Sequence, residues 1–131
     1  MNHINSPATD DSAVEREIQT KGKTAPRVTP ADLQANIDYA VYFTAADGCV
    51  GCGMTAEQTL CPPSLTLLTF CVLVLRNGFT VIGESACASP ENFDAEIGKK
   101  IARQNAEQKI WPLMGYALKQ QLHVAKNGQP Q

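Results

Sequence analysis

The sequence predicts an α+β domain: a small sheet built on one antiparallel β-hairpin, packed with an N-terminal helix and a long, proline-interrupted C-terminal helical segment. Three observations predict it. Asn77-Gly78 separates two strand-like runs, while Thr29-Pro30 and Ser89-Pro90 each open an amphipathic stretch. Asn-Gly is the favoured pair for a tight type I′ turn, because both central residues of that turn take positive φ. A Ser or Thr before Pro combines a side-chain cap with a residue preset for the first helical position.

Taken in order, residues 1–26 are rich in Ser, Thr, Asp, Glu and Lys and predict a flexible arm. Such a segment has too little apolar surface to offset its ordering entropy, although Val14 and Ile18 are spaced for a short helix. From Thr29-Pro30-Ala31-Asp32, the spacing of Leu33, Ile37, Ala40 and Val41 predicts an amphipathic helix over 30–43. Residues 44–64, with Gly48, Gly51, Gly53 and Pro62-Pro63, read as a loop. Leu65 to Leu75 and Phe79 to Ile82 form the hairpin strands. The first is apolar on both faces, as a strand is when helices cover one side and a second subunit the other.

Ser89-Pro90-Glu91-Asn92 then opens a long helix with Phe93, Ile97, Ile101, Ala106 and Ile110 on its apolar side. Trp111-Pro112 should break it, since proline disfavours helical geometry before it and lacks a donor. Leu113 to Leu122 closes the domain as a last helix with Tyr116 and Leu118 turned inward. The domain therefore spans 27–122, followed by a polar tail at 123–131.

At 131 residues, 44% hydrophobic and 18% charged, the chain matches one globular domain. A formal charge of −2 argues against a non-specific nucleic-acid binder, which needs a dense basic stripe to neutralise many phosphates. Here Lys99, Lys100, Arg103 and Lys109 are interleaved with Glu91, Asp94, Glu96 and Glu107. No run is long and apolar enough for a bilayer, and Met1 to Asp10 lacks the basic-then-apolar pattern of a secretion signal. A bacterial host's cytoplasm is the expected compartment, and no membrane partner is expected.

Cys49-Val50-Gly51-Cys52 is the most conspicuous motif, with Cys61 close behind. A two-residue gap lets two thiolates share a tetrahedral metal, but a structural zinc site wants a second pair, and His3 and His123 lie near the chain ends. A redox CxxC would open a helix within a βαβ unit, which is missing here. Free loop thiols are the simplest reading; no metal and no cofactor is expected. Cys71 and Cys87 read as small buried hydrophobes. There is no GxSxG, P-loop or dinucleotide fingerprint, and the carboxylates near Glu84-Ser85 suit a helix dipole better than catalysis. The candidate ligand segment is Gly83 to Asn92: a strand end, a small-residue loop and a helix start can gather backbone N–H groups around an anion, with Ser89 and Asn92 adding donors.

The run from Thr69 to Arg103, with NGF, GESAC and NF, followed by Lys109-Ile-Trp-Pro-Leu to Tyr116, resembles a family of small tailed-phage and prophage proteins. The family is named after gene products forty-nine and sixty-six of two enterobacterial phages. Arg27-Val-Thr-Pro-Ala-Asp resembles its upstream helix start, whereas the cysteine loop is peculiar to this chain. The family is in turn similar to the first type of Thoeris anti-defence protein. Those proteins are phage sponges that sequester cyclic ADP-ribose signals, some also cyclic oligonucleotides, without cleaving them, and assemble as homo-oligomers. The resemblance implies a non-enzymatic, oligomeric nucleotide binder whose contacts are sought in the second strand, the helix start and nearby basic groups: Arg27, Phe79, Ser89, Asn92, Arg103 and Lys109. Two other readings compete. One is an adaptor or inhibitor that binds a host protein through the apolar strand or the arm; the other is a small metal-binding domain using Cys49, Cys52 and Cys61.

Overall fold

A computed structural model describes residues 11–52 and 61–128. Residues 1–10 of the arm, 53–60 of the cysteine loop and 129–131 of the tail lie outside that description. The predicted class holds: a three-stranded antiparallel sheet, ordered β1-β2-β3, carries helices on one face. Its strands are β1 (Ile37–Thr44), β2 (Leu68–Leu75) and β3 (Thr80–Ala86). The helices are α1 (Asp11–Thr20), α2 (Pro30–Ala35), α3 (Ala45–Gly51), α4 (Ala95–Gln108) and α5 (Ile110–Asn127).

The largest departure from the sequence reading is β1. The helix expected over 30–43 stops at Ala35, and the chain re-emerges as a strand paired with β2. A register shift between Ile37 and Tyr39 explains the misreading. It inserts one residue, Asp38, and so moves the inward phase by one. Ile37, Ala40 and Tyr42 then face the core, and Leu33, Ile37 and Ala40 recur at a spacing that mimics a helix. The start of α2 is as read: Thr29 accepts from the Asp32 N–H at 3.0 Å, Asp32 accepts from the Thr29 N–H, and Pro30 takes the first position. A second box of the same kind, Thr44 with Asp47, opens α3 inside the segment read as loop.

Along β2 burial alternates without exception. Thr69, Cys71, Leu73 and Leu75 are buried under α4, while Leu68, Phe70, Val72 and Val74 lie on the open face. Leu73 pairs with Ala40 on one side and Val81 on the other, joining all three strands in the core. The β2–β3 connection is not the expected type I′ turn. Gly78 alone has positive φ, at 90°, and its N–H donates to the Leu75 carbonyl at 2.8 Å. This is the three-residue loop in which a tight turn is followed by a left-handed glycine.

Helix α4 lies across the sheet closely enough that Gly83 is a steric requirement. A Cβ there would stand 2.1 Å from the Ala102 carbonyl oxygen and 2.3 Å from the Ala106 nitrogen. The buried stripe is accordingly Gly98, Ala102, Ala106 and Ile110: Ala106 and Ile110 are buried as expected, while the first half is shifted by one residue from Ile97 and Ile101, and Ile97 is exposed. Small side chains win because they allow backbone-level contact, which large ones forbid. The helix also begins later than expected. Pro90–Asn92 is a short 3₁₀ turn that Ser89 does not cap, and Asp94 caps α4 by accepting from the Ile97 N–H at 3.1 Å.

The break before the closing helix falls at Lys109 rather than at Trp111-Pro112. Pro112 sits in the first turn of α5, where no donor is missed. That helix runs through the supposed polar tail to Asn127, where Gly128 at φ 65° caps it. Trp111 and Met114 pack on the core, but Tyr116 is 74% exposed, contrary to its expected inward turn. The segment read as a loose arm contains α1, which lies against the domain: Glu15 grips Arg27, and Asp11 accepts from the Trp111 indole at 3.2 Å.

Candidate functional site

Two of the deviations just described create a cleft. Ending α2 at Ala35 brings Asn36 beside the start of the β2–β3 turn, where the Arg76 N–H donates to the Asn36 carbonyl at 3.0 Å. Starting α5 at Ile110 carries Met114 and Leu118 along the same side. Between α2, Arg76 and α5 lies a cleft of about 450 Å³ whose rim includes Arg27, Asp32 and Asn36 and whose apolar wall includes Met114 and Leu118. That size falls within the range of small-molecule sites.

Its two guanidinium groups differ. Arg27 is half-buried and engages both carboxylate oxygens of Glu15, Nη1 to Oε1 at 2.5 Å and Nη2 to Oε2 at 2.8 Å. The Arg27 hydrogen bonds hold the Glu15 carboxyl below its usual range. Arg76 is exposed, and its guanidinium has no hydrogen-bond or ion-pair partner among the described residues. Asp32 adds a carboxylate to the rim, but its oxygen is committed to the Thr29 cap, which lowers its pKa. The cleft thus offers one paired and one unpaired cation beside an apolar wall, an arrangement suited to an anion carrying a flat or apolar body.

The residues singled out in the sequence do not converge. Arg27 lines the cleft. Phe79 is 53% exposed at the hairpin tip, three residues beyond Arg76. Ser89 and Asn92 lie at the 3₁₀ turn, where the Asn92 N–H is already consumed by the Ser89 carbonyl at 3.0 Å. The Phe93 N–H is likewise donated to the Pro90 carbonyl at 3.1 Å, and the Asp94 carboxylate sits at the start of α4. Arg103 ties elements together, donating to Glu107 at 2.8 Å, to the Tyr42 hydroxyl at 3.3 Å and to Gln34 Oε1 at 3.1 Å. Lys109 is exposed at the α4–α5 corner.

Sequence reasoning missed Arg76, Asn36 and the α5 wall. Arg76 had a local signal, a charged residue opening the Asn-Gly turn. Asn36 had none, because its position depends on β1 being a strand.

A second crevice, of about 300 Å³, runs beneath α1 between Val14, Ile18, Val28 and Trp111. Gln108 also lines it, and its Nε2 is buried without a hydrogen-bond partner among the described residues. Among the described residues no three His, Cys, Asp or Glu side chains form a group able to hold a metal ion, and no helix is long and apolar enough to cross a membrane.

No curated protein and no solved structure matches the chain. A family model does, over residues 28–122, from the residue after Arg27 to the middle of α5. That span takes in the sheet, α2, α3, α4 and every residue lining the cleft except Arg27, so the chain belongs to the phage protein family of N4 Gp49 and phage Sf6 gene 66.

Proposed function

We propose that this phage-family protein sequesters a phosphate-bearing nucleotide signal of the cyclic ADP-ribose or cyclic oligonucleotide type, holding it without cleavage and so blunting a host anti-phage defence. The observation that carries the reading is the cleft with two guanidinium groups on its rim, one of them without a partner among the described residues, beside the apolar wall of Met114 and Leu118. Guanidinium forks match phosphate oxygens in bidentate geometry, and an apolar wall takes the flat face of a base. No bond-breaking step belongs to this reading. The carboxylate at the rim, Asp32, is spent on its cap rather than poised as a base. The ligand displaces Glu15 from Arg27 or shares that group with it.

The open sheet face supports the second half of the proposal, self-association. Val41, Val72 and Ile82 form one row across the three strands, and Phe43 and Phe70 pair beside it with ring centroids 5.5 Å apart. An exposed apolar patch of this kind marks an interaction surface, and the occupant proposed here is another copy.

The test is direct. Protein is mixed with cyclic ADP-ribose isomers or cyclic oligonucleotides and filtered, and the retained protein is heated to release what it holds. Depletion of the filtrate and recovery of intact nucleotide are expected. Recovery of a hydrolysed product identifies an enzyme instead, and an undepleted filtrate with each class of signal ends the sponge reading. That last outcome favours a protein-binding adaptor, for which the exposed Tyr116 and Leu122 of α5 offer a surface.

A further inference from the structure

Helix α1 is mounted against the usual polarity. A surface helix turns apolar residues inward and charges outward, yet the half-buried residues of α1 are Asp11, Glu15 and Ile18, while Val14 is 53% exposed. Asp11 and Glu15 stand one turn apart and so share a face. Each ends on a donor of the domain. Glu15 accepts from both Nη atoms of Arg27, and Asp11 accepts from the Trp111 indole N–H. No residue of α1 is buried, so little apolar area holds the helix down.

The crevice beneath α1 adjoins the cleft. Val28 lines both, and Trp111 and Met114, three residues apart on α5, line one each. On the crevice wall the buried Gln108 Nε2 has no hydrogen-bond partner among the described residues. A buried amide donor in that state costs free energy, which an acceptor on a ligand would recover. Lifting α1 sets the Arg27 guanidinium, the Trp111 indole N–H and the Gln108 amide along one groove.

We propose that α1 is an acidic strap seated in the nucleotide site: phosphate oxygens replace Glu15 on Arg27 and Asp11 on Trp111, α1 lifts, and cleft and crevice become one site in which Trp111 and Gln108 also touch the ligand. This rests on the sequestration reading and adds to it two ligand contacts and a competitor within the chain. Carboxylates and phosphates take the same guanidinium fork, so one excludes the other. Size agrees: the cleft is about 450 Å³ and the crevice about 300 Å³, each in the lower half of the roughly 300–1,000 Å³ range of small-molecule sites, and joined they reach its middle. The strap sets the signal concentration at which sequestration begins. Apparent affinity falls with the fraction of chains that are open, so a strap closed about nine-tenths of the time weakens binding about tenfold.

The full-length wild type, the double variant Asp11→Asn/Glu15→Gln and Gln108→Leu are each dialysed against cyclic ADP-ribose isomers and cyclic oligonucleotides, with circular dichroism checking the fold. The double variant is expected to bind about tenfold tighter than wild type, and Gln108→Leu about three- to tenfold more weakly. Hydrogen exchange supplies the signature of displacement. On saturating wild type, exchange across Asp11–Thr20 is expected to quicken while that of α2 and the first turns of α5 slows. Slower or unchanged exchange in α1, or a double variant that binds no tighter than wild type, would overturn the strap while leaving sequestration standing. Unchanged affinity in Gln108→Leu would overturn the joined site. Retention of no nucleotide by any of the three proteins ends the sequestration reading itself, and the strap with it.

Discussion

Arg76 and Gly83 are a few residues apart and carry opposite kinds of constraint. The exposed Arg76 guanidinium has no partner among the described residues, so removing it costs the fold nothing of note. On the proposed function, Arg76→Ala weakens nucleotide retention about ten- to a hundredfold, the loss expected for one charge-assisted hydrogen bond. Equilibrium dialysis reads the affinity, and an unchanged urea midpoint shows that the fold is intact. An unchanged affinity would remove Arg76 from the site. Gly83 is the reverse case: its missing side chain lets the Ala102 and Ala106 backbone of α4 touch the sheet. Gly83→Ala must push α4 away from a packed core, which costs about 3 kcal/mol. Urea unfolding followed by circular dichroism measures it, and a loss under about 0.5 kcal/mol would mean that α4 sits farther from β3 than described.

At the scale of elements, α1 is held by polar groups rather than by burial. None of its residues is buried, and its attachments are the Glu15–Arg27 pair and the Asp11–Trp111 hydrogen bond. The Glu15 carboxyl is held below its ordinary 4.5, chiefly by hydrogen bonding to Arg27. A group whose folded pKa is depressed contributes its stabilisation above the unfolded value and loses it as pH falls through the folded one. Docking of α1 is therefore complete at neutral pH and weakens on acidification below the ordinary glutamate value. Trp111, the single tryptophan, reports this. Its fluorescence should change in acid before the far-ultraviolet dichroism of the sheet is lost, and Glu15→Gln should abolish that separate step. Coincident transitions in both proteins would mean that α1 unfolds only with the whole domain.

At the scale of the molecule, the sheet has one face packed and one open. Ile82 lies on the open face, exposed, in the row with Val41 and Val72. Ile82→Lys leaves the α4 side untouched and sets a charge into the surface proposed to pair with another copy. Light scattering is expected to show wild-type oligomers and a smaller species for the variant, with thermal unfolding changed little. A wild-type monomer at micromolar concentration would leave the open face without its proposed partner.

What the sequence determined by itself lies in the short-range signals. The Thr29 cap with Pro30, the Asn77-Gly78 connection and the alternation of β2 act within a few residues and survive any packing. The α+β class follows from them. The tertiary structure decided what depends on distant partners. Ile37–Thr44 became a strand because β2 offered an edge, and the bulge at Asp38 hid its alternation behind a helix-like spacing. Small residues came to line α4 because Gly83 lets it approach, and Asp94 displaced Ser89 as the cap. The site was least legible for the same reason. Arg27, Asn36, Arg76 and Met114 are scattered along the chain, and only strand pairing and the turn at Lys109 bring them to one cleft.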